Sequence, residues 1–416
     1  MTRIKPPIVV VNDFAHVNGG AAQVALSSAL ALRGRGYDVT LLSAVEPIMP
    51  ELRQAGVEVI ITGQYQIGDD PHRLRAAGQG LWNRVAARQA RQLRHRLDPR
   101  RTIIHLHGWS KALSSSVVQP LIASGFPVVV TMHDYFLACP NGGFYNFQKN
   151  KVCPLIPLSL SCIRSHCDKN SYSQKLWRVA RQMVQKHGGG LPHKVNHFIA
   201  VSDFSKAILA PFLPPDSTLH YLPNPIFVER LEPARPQENQ LFLFVGRLSP
   251  EKGPFLFAEA VRRVNCPAAF IGDGECRSEL SRRYPEIEIS GWVNHQDILR
   301  HLRLARAVVF PSLCPETSGM TVAEAAALGI PAIVGDNSAA REAVIDGRTG
   351  LWFKGGDVAD LAAKIIMLQD GTTAATMGQE AYDRYWSNPS TLDIHINLLE
   401  QLYARILATT LVKIAR

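Results

Sequence analysis

Two stretches in the second half of the chain hold the residues best suited to chemistry. Phe244–Gly253 reads FVGRLSPEKG and begins as an apolar strand, so Arg247 and Lys252 fall on the loop at its carboxyl end. Ligands of open α/β sheets bind at that edge, and an arginine fork beside a lysine point charge suits a diphosphate. Pro311–Ala325 reads PSLCPETSGMTVAEA and follows the apolar run Ala307–Phe310. Ser318, Gly319, Met320 and Thr321 are expected to form the first turn of a helix ending near Gly329, where free backbone N–H groups could bind a phosphate. Glu316 lies in the preceding loop. Glu324 lies inside the helix among Val322, Ala323 and Ala325, where a carboxylate needs partners that ribose hydroxyls would supply. The plainer readings are a solvated pair of cations and a helix-surface glutamate. They lose weight if the two motifs meet.

In the first half, Asn18–Gln23 (NGGAAQ) follows the apolar run Ile8–Val11 and opens a helix, Val24–Arg33. Gly19 and Gly20 would let a ligand approach the backbone at the positive end of that helix. A tight turn without a ligand is an equal reading. The full G-x-G-x-x-G fingerprint is absent, which excludes the usual signature of nicotinamide or flavin binding.

The elements that must carry these loops alternate along nearly the whole chain. Apolar runs at Ile8–Val11, Val39–Leu42, Val57–Ile61, Ile103–Leu106, Val128–Thr131 and Phe198–Val201 read as one series of strands. A second series follows at Leu241–Val245, Ala268–Ile271, Glu286–Ile289, Ala307–Phe310 and Pro331–Val334. Continuous apolar strands separated by amphipathic helices predict parallel sheets covered on both faces, that is, α/β doubly wound folds. The Pro-rich stretch from Leu222 to Asn239 separates the two series and reads as a linker. The expected organisation is an N-terminal acceptor-side domain over 1–225 with an irregular insertion at about 139–170. A C-terminal nucleotide-binding domain would follow over 226–388, and a helix over 389–416 would return towards the first domain.

The 416 residues suit two domains. No run approaches the ~18 apolar residues of a membrane span. The N-terminal run Met1–Val11 is too short for a signal peptide, so a cytoplasmic location is expected. A net charge of +10 favours anionic partners, but no nucleic-acid motif accompanies it.

Glu316 and Glu324 form an E-x7-E pair in the setting P-x4-E-x2-G-x4-E-A. With the upstream G-R-L-x2-E-K-G this resembles glycosyltransferase family 4, the retaining GT-B enzymes. The resemblance continues through Ile271–Gly274, Gly291–Val293 and Ala339–Gly350 and reaches Gly19-Gly20. It implies two Rossmann-like domains facing across a cleft and hexosyl transfer from a UDP- or GDP-sugar to a saccharide or lipid-linked saccharide acceptor. It also implies roles. Arg247 and Lys252 would hold the donor diphosphate, Glu316 the transferred sugar and Glu324 the ribose. Ser318, Gly319, Met320 and Thr321 would line the diphosphate and sugar site, and the Trp292-Val293 loop would touch the base. His133 would face the donor sugar from the N-domain, and Gly20 would approach the phosphates from the same side. Relatives often carry Glu-Gly-Phe-Gly where this chain has Glu316-Thr-Ser-Gly319. No Asp-x-Asp metal motif is evident, and no cofactor is expected for catalysis. A non-catalytic nucleotide-sugar scaffold is the alternative, weakened by the intact set Arg247, Lys252, Glu316 and Glu324.

Three features stand outside that reading. Cys139, Cys153, Cys162 and Cys167 are separated by 13, 8 and 4 residues. Four thiolates suffice for a structural zinc, although the spacing lacks paired C-x2-C knuckles; buried free thiols are the alternative. His105 and His107 share one face of a strand end, as a polar strand end or, less readily, a metal pair, and His107 could line the acceptor side. Finally, Arg84, Arg88 and Arg91 lie near one helical face, with Leu81, Trp82, Val85 and Leu93 as an apolar counterpart. This could dock peripherally on the inner membrane face or be an ordinary solvated helix.

Overall fold

The computed structural model describes residues 5–414. Seven strands form the first sheet: β1 (Ile8–Val11), β2 (Val39–Ser43), β3 (Glu58–Ile61), β4 (Ile103–Leu106), β5 (Val128–Met132), β6 (His197–Ala200) and β7 (Thr218–Tyr221). All neighbours are parallel and the order is β3-β2-β1-β4-β5-β6-β7. The second sheet contains β8 (Leu241–Val245), β9 (Ala268–Ile271), β10 (Glu288–Ile289), β11 (Ala305–Phe310), β12 (Ala332–Gly335) and β13 (Gly350–Phe353). Its order, β10-β9-β8-β11-β12-β13, repeats the same winding. In both sheets the order reverses beside the first strand, and that reversal opens a crevice at the carboxyl strand ends. The candidate loops after β1, β4, β5, β8 and β11 all leave from those ends.

Within the insertion expected to be irregular, Tyr145–Asn146 and Lys151–Val152 pair as a short antiparallel hairpin; the two strands of the main sheets that were not expected, β7 and β13, have mundane causes. Thr218–Tyr221 is a half-exposed edge strand with polar residues, and Gly350–Phe353 begins with a glycine that weakens the strand signature. Gly350 has no room for a side chain, since a Cβ there would lie 2.2 Å from the Ala332 carbonyl oxygen.

Each sheet buries apolar layers on both faces. One face of the N-domain sheet packs Val9, Val11, Leu106 and Val130 against helix Arg84–Arg96 through Ala86, Ala90 and Leu93. The apolar side of that helix is therefore Ala86, Ala87, Ala90 and Leu93, while Val85 is exposed. Leu81 and Trp82 precede its Asn83 cap, whose side chain accepts from Ala86 N–H. The opposite face packs Ile8, Val10, Leu41 and Ile199 against Ile396, Leu399, Leu402, Tyr403 and Ile406. Those five residues belong to the last helix, Leu392–Ile414. The end of the chain thus completes the core of its first domain. The two crossovers run side by side, with Ile226 N–H bonded to the Ser390 carbonyl at 2.7 Å.

Candidate active site

The loops after β8 and β11 meet. The Glu251 carbonyl accepts from Leu313 N–H at 2.8 Å. Gly253 sits at φ 71° with its α-carbon so close to the Pro311 carbonyl that a Cβ would lie 2.2 Å from the oxygen, a position only glycine fills without strain. This seam brings Lys252 Nζ to within 2.5 Å of Glu316 Oε1, the two side chains being 28% and 17% exposed. Ser312 Oγ donates to the same oxygen at 3.0 Å, and Cys314 Sγ lies 3.4 Å from it. Burial pushes the Glu316 carboxyl up, but the Lys252 charge and these hydrogen bonds outweigh it and leave Glu316 below the usual carboxylate range. Asn337 fixes the loop by donating to the Ser312 and Leu313 carbonyls.

Helix Met320–Ala327 starts directly after this loop with Gly319 at its N-cap and no side-chain cap. Its first amides are therefore free to face a ligand. Gly319 is pressed on Ala340, where a Cβ would stand 2.7 Å from both Cα and Cβ. Arg247 is exposed, and no ion pair or hydrogen bond of its guanidinium occurs among the described residues. The cation set is thus one lysine already balanced by Glu316 and one arginine without an anion.

Glu324 is buried inside the helix and has a protein partner, His295, whose Nε2 lies 2.9 Å from Oε1. The hydrogen bond to Glu324 raises the His295 imidazole above its ordinary value, against burial. Sequence reasoning assigned Glu324 partners from the ligand alone. His295 opens the neighbouring helix, His295–Arg303, and no sequence signal linked the two. Of the loop ahead of it, Trp292 is 78% exposed while Val293 packs on the domain core.

The N-domain faces this site directly. The His133 carbonyl accepts from Thr317 Oγ1 at 2.7 Å across the cleft. Gly20 opens helix Gly20–Gly34 hard against Met320, where a Cβ would lie only 3.1 Å from the Met320 sulfur and push it aside. Gly19 precedes it as the N-cap at φ 149°. The Glu342 carboxylate accepts from Asp203 and Phe204 N–H at 3.2 and 2.5 Å, so a C-domain acid caps an N-domain helix. Lys169, in the Cys-rich insertion, pairs with Glu275. All four contacts join residues far apart in sequence, which no local motif could announce.

His133 follows β5 and touches His107 at the end of β4, Nε2 to Nδ1, at 3.0 Å. Burial first, and the neighbouring imidazoles second, keep both rings neutral, with His133 pulled down to about 3. His105 lies 3.9 Å from His107 ring to ring and bonds Tyr403 Oη and Thr131 Oγ1. The reading of His105 and His107 as an ordinary polar strand end is therefore corrected: they form a buried stack leading to His133.

Cys139, Cys153, Cys162 and Cys167 are all free. Among the described residues no group of three or more His, Cys, Asp or Glu side chains is placed to hold a metal ion. The expected structural zinc does not fit, for a physical reason. The fully buried Lys175 lies beside three of these sulfurs, 3.5 Å from Cys162 Sγ, bonded to Cys167 and close to Cys139. A second cation there would be repelled.

Two Rossmann-like domains, closed on a cleft lined by Arg247, Lys252, Glu316 and a free helix N-terminus, define the GT-B architecture. The chain belongs to glycosyltransferase family 4: that family's description, Glycosyltransferase Family 4, matches residues 18–230, and Glycosyl transferases group 1 matches residues 227–384. A GDP-mannose-dependent alpha-(1-6)-phosphatidylinositol monomannoside mannosyltransferase of Mycolicibacterium smegmatis is 27% identical over 216 residues, 45% of this chain and 56% of that protein. A glycogen synthase of Mycobacterium tuberculosis is 33% identical over 144 residues, 32% of this chain and 34% of its own length. These alignments thus span only part of each relative. Among solved structures, a sucrose-phosphate synthase from Thermosynechococcus elongatus superposes with a TM-score of 0.73 at 19% identity, covering 97% of this chain and all of that one. The Anabaena protein HepE, solved with UDP and glucose, gives 0.65 at 17% identity over 97% of this chain and all of its own. At such identities the superpositions speak for the fold.

Proposed function

We propose that the chain is a retaining glycosyltransferase that moves a hexosyl group from a nucleoside-diphosphate sugar to a saccharide or lipid-linked saccharide acceptor, in glycolipid or polysaccharide synthesis. The observation that carries this reading is the meeting of Lys252–Glu316, the unpaired Arg247 and the free amides of Gly319, Met320 and Thr321 at one cleft facing His133.

The chemistry suits that setting. Cleavage of the sugar–phosphate bond develops positive charge on the sugar and negative charge on the departing diphosphate. Arg247, Lys252 and the helix amides, together with Ser318 at the same turn, would stabilise the diphosphate where its charge grows. Glu316, kept ionised by Lys252, would accept from sugar hydroxyls, and Glu324 with His295 would hold the ribose. Retention follows if the leaving diphosphate takes the acceptor's proton on the face it departs from. Closure through Thr317, Glu342 and Lys169 would exclude water that could hydrolyse the donor.

The base of the donor is either uracil or guanine. The mannosyltransferase is named for GDP-mannose and HepE was solved with UDP. The exposed arginines Arg84, Arg88 and Arg91 support peripheral docking on an anionic leaflet where a lipid-linked acceptor would lie. No helix among the described residues is long and apolar enough to cross a membrane.

The test is thermal unfolding against a panel of UDP, GDP, ADP and their sugars. A nucleotide at 100 times its Kd adds about 2.7 kcal/mol. One diphosphate should stabilise selectively, and Arg247→Ala should abolish the gain without lowering the unliganded transition, since Arg247 has no internal partner. Indifference to every nucleotide would overturn the reading.

A further inference from the structure

We infer that His107 is a positioning residue that fixes the tautomer of His133, donating from its own Nδ1–H to His133 Nε2 so that His133 offers an Nδ1–H donor to the cleft. The inference rests on the reading of His133 as the residue facing the donor sugar.

The two rings lie 5.3 Å apart and within 22° of parallel, with a 3.0 Å contact between His107 Nδ1 and His133 Nε2. Two neutral imidazoles can share that contact in only two ways, because each carries one N–H and one lone pair. His107 is 4% exposed and its Nε2 has no partner. If His133 donated, the proton of His107 would sit on that Nε2, as a buried N–H with nothing to accept it. If His107 donates, Nε2 is left as a bare lone pair. Orphaned buried N–H groups are rarer in folded proteins than under-used acceptors, so His107 is the donor. His133 then carries its proton on Nδ1. That nitrogen makes no hydrogen bond within the described residues and is not among the buried orphans, which leaves it open to the cleft that Thr317 closes from the other side.

The scaffold holds His107 firmly. Its N–H donates to the Val11 carbonyl at 2.9 Å. The Asp13 carboxylate accepts from Lys111, Ala112 and Leu113 N–H and ties down the loop that follows. Gly108 leaves no room for a side chain, as a Cβ would lie 2.8 Å from Asn12 Oδ1. Beneath His107, Tyr403 and Thr131 hold both nitrogens of His105. The imidazole nearest the cleft is therefore oriented by a column of side chains that begins on the last helix.

The direct measurement is nitrogen–proton NMR on full-length protein with labelled histidine, His133 being assigned by its loss in His133→Gln. Expected is an Nδ1–H signal in the wild type and in His107→Asn, whose amide places a donor where Nδ1 stands. In His107→Leu the Nε2 lone pair of His133 loses its donor, so its nitrogen signal should move to that of an unbonded imidazole nitrogen and the Nδ1–H form should no longer be exclusive. With UDP- and GDP-hexoses as donors, His107→Leu should lower kcat roughly tenfold with little change in donor KM, and His107→Asn should recover to within about threefold. An Nε2–H signal from His133 in the wild type would overturn the inference, as would equal loss in Leu and Asn variants. The spectrum needs no donor, so absence of turnover would count against the glycosyltransfer reading and leave the tautomer to be judged by NMR.

Discussion

The Lys252–Glu316 pair makes a prediction that separates folding from ligand binding. Lys252→Met keeps the apolar stem and deletes the charge, leaving Glu316 with only Ser312 and Cys314 as donors. Removing one member of a buried pair costs about 3–5 kcal/mol. With side chains 28% and 17% exposed, solvent relieves part of that, so about 2–3 kcal/mol is expected. For a domain of this size the loss equals roughly 4–12 °C in the melting transition. The pH dependence follows from the directions. In the wild type the folded-state pKa of Glu316 is lowered, so its contribution is complete above the unfolded value of 4.5 and is lost as pH falls through the folded one. Without Lys252 burial dominates and the folded pKa rises, so the ionised carboxylate opposes folding above 4.5. The gap between the two proteins should therefore be widest near pH ~7 and close towards pH ~4. The assay is calorimetric melting of both proteins, and of Lys252→Met/Glu316→Gln, across that range. The double variant should return to within about 1 kcal/mol of wild type, because no buried charge is left unpaired. A single variant as stable as wild type near pH ~7, or a double variant no better than the single, would refute the argument.

Other outcomes follow from single contacts. Burial lifts Asp134 to about 6, so ionising it opposes folding, an effect absent below 3.8 and complete above that raised value. Asp134→Asn should stabilise by about 3 kcal/mol near pH ~8 and by nothing near pH ~3.5, as read by urea titration. Glu342→Ala removes two bonds between the domains and should favour opening by about 1–2 kcal/mol, seen as a larger radius of gyration in small-angle scattering without ligand. Gly319→Ala forces a Cβ against Ala340 and should cost about 1–3 kcal/mol while weakening nucleotide binding. Since the Lys175 ammonium already stands beside Cys139, Cys162 and Cys167, chelator treatment should leave the melting transition unmoved. Lys175→Ala should lower stability by about 2–4 kcal/mol through the cavity it leaves.

Most of the fold could be read from the chain because parallel strands buried on both faces are continuous apolar runs, and four of them, Ile8–Val11, Ile103–Leu106, Leu241–Val245 and Ala268–Ile271, have the expected bounds. The loops after β8 and β11 were legible for a similar reason: glycine and proline at Gly253, Pro311 and Gly319 mark backbone turns that are local facts. What stayed hidden was pairing at long range. Nothing near Glu324 points to His295, nothing near Glu342 points to Phe204, and the zinc expectation for the cysteines could not foresee that Lys175, on a later helix, would stand among them. His107 was seen as a residue and missed as a contact, because its partner lies on the neighbouring strand and register alone decides that the two rings meet.

The last helix has a consequence for how the molecule is made. Ile396, Leu399, Leu402, Tyr403 and Ile406 cover Ile8, Val10, Leu41 and Ile199, which a ribosome would deliver first. Until synthesis reaches those residues, that face of the N-terminal sheet is covered only in part, by Ala25, Leu26, Ala29 and Leu32 of helix Gly20–Gly34. His105 likewise waits for Tyr403. Domains made in order usually fold in order; here the first domain matures last. The nascent chain must keep an apolar sheet face from aggregating for the time needed to translate the whole second domain, which makes this face a natural client for a chaperone and makes late premature termination more damaging than the few lost residues would suggest.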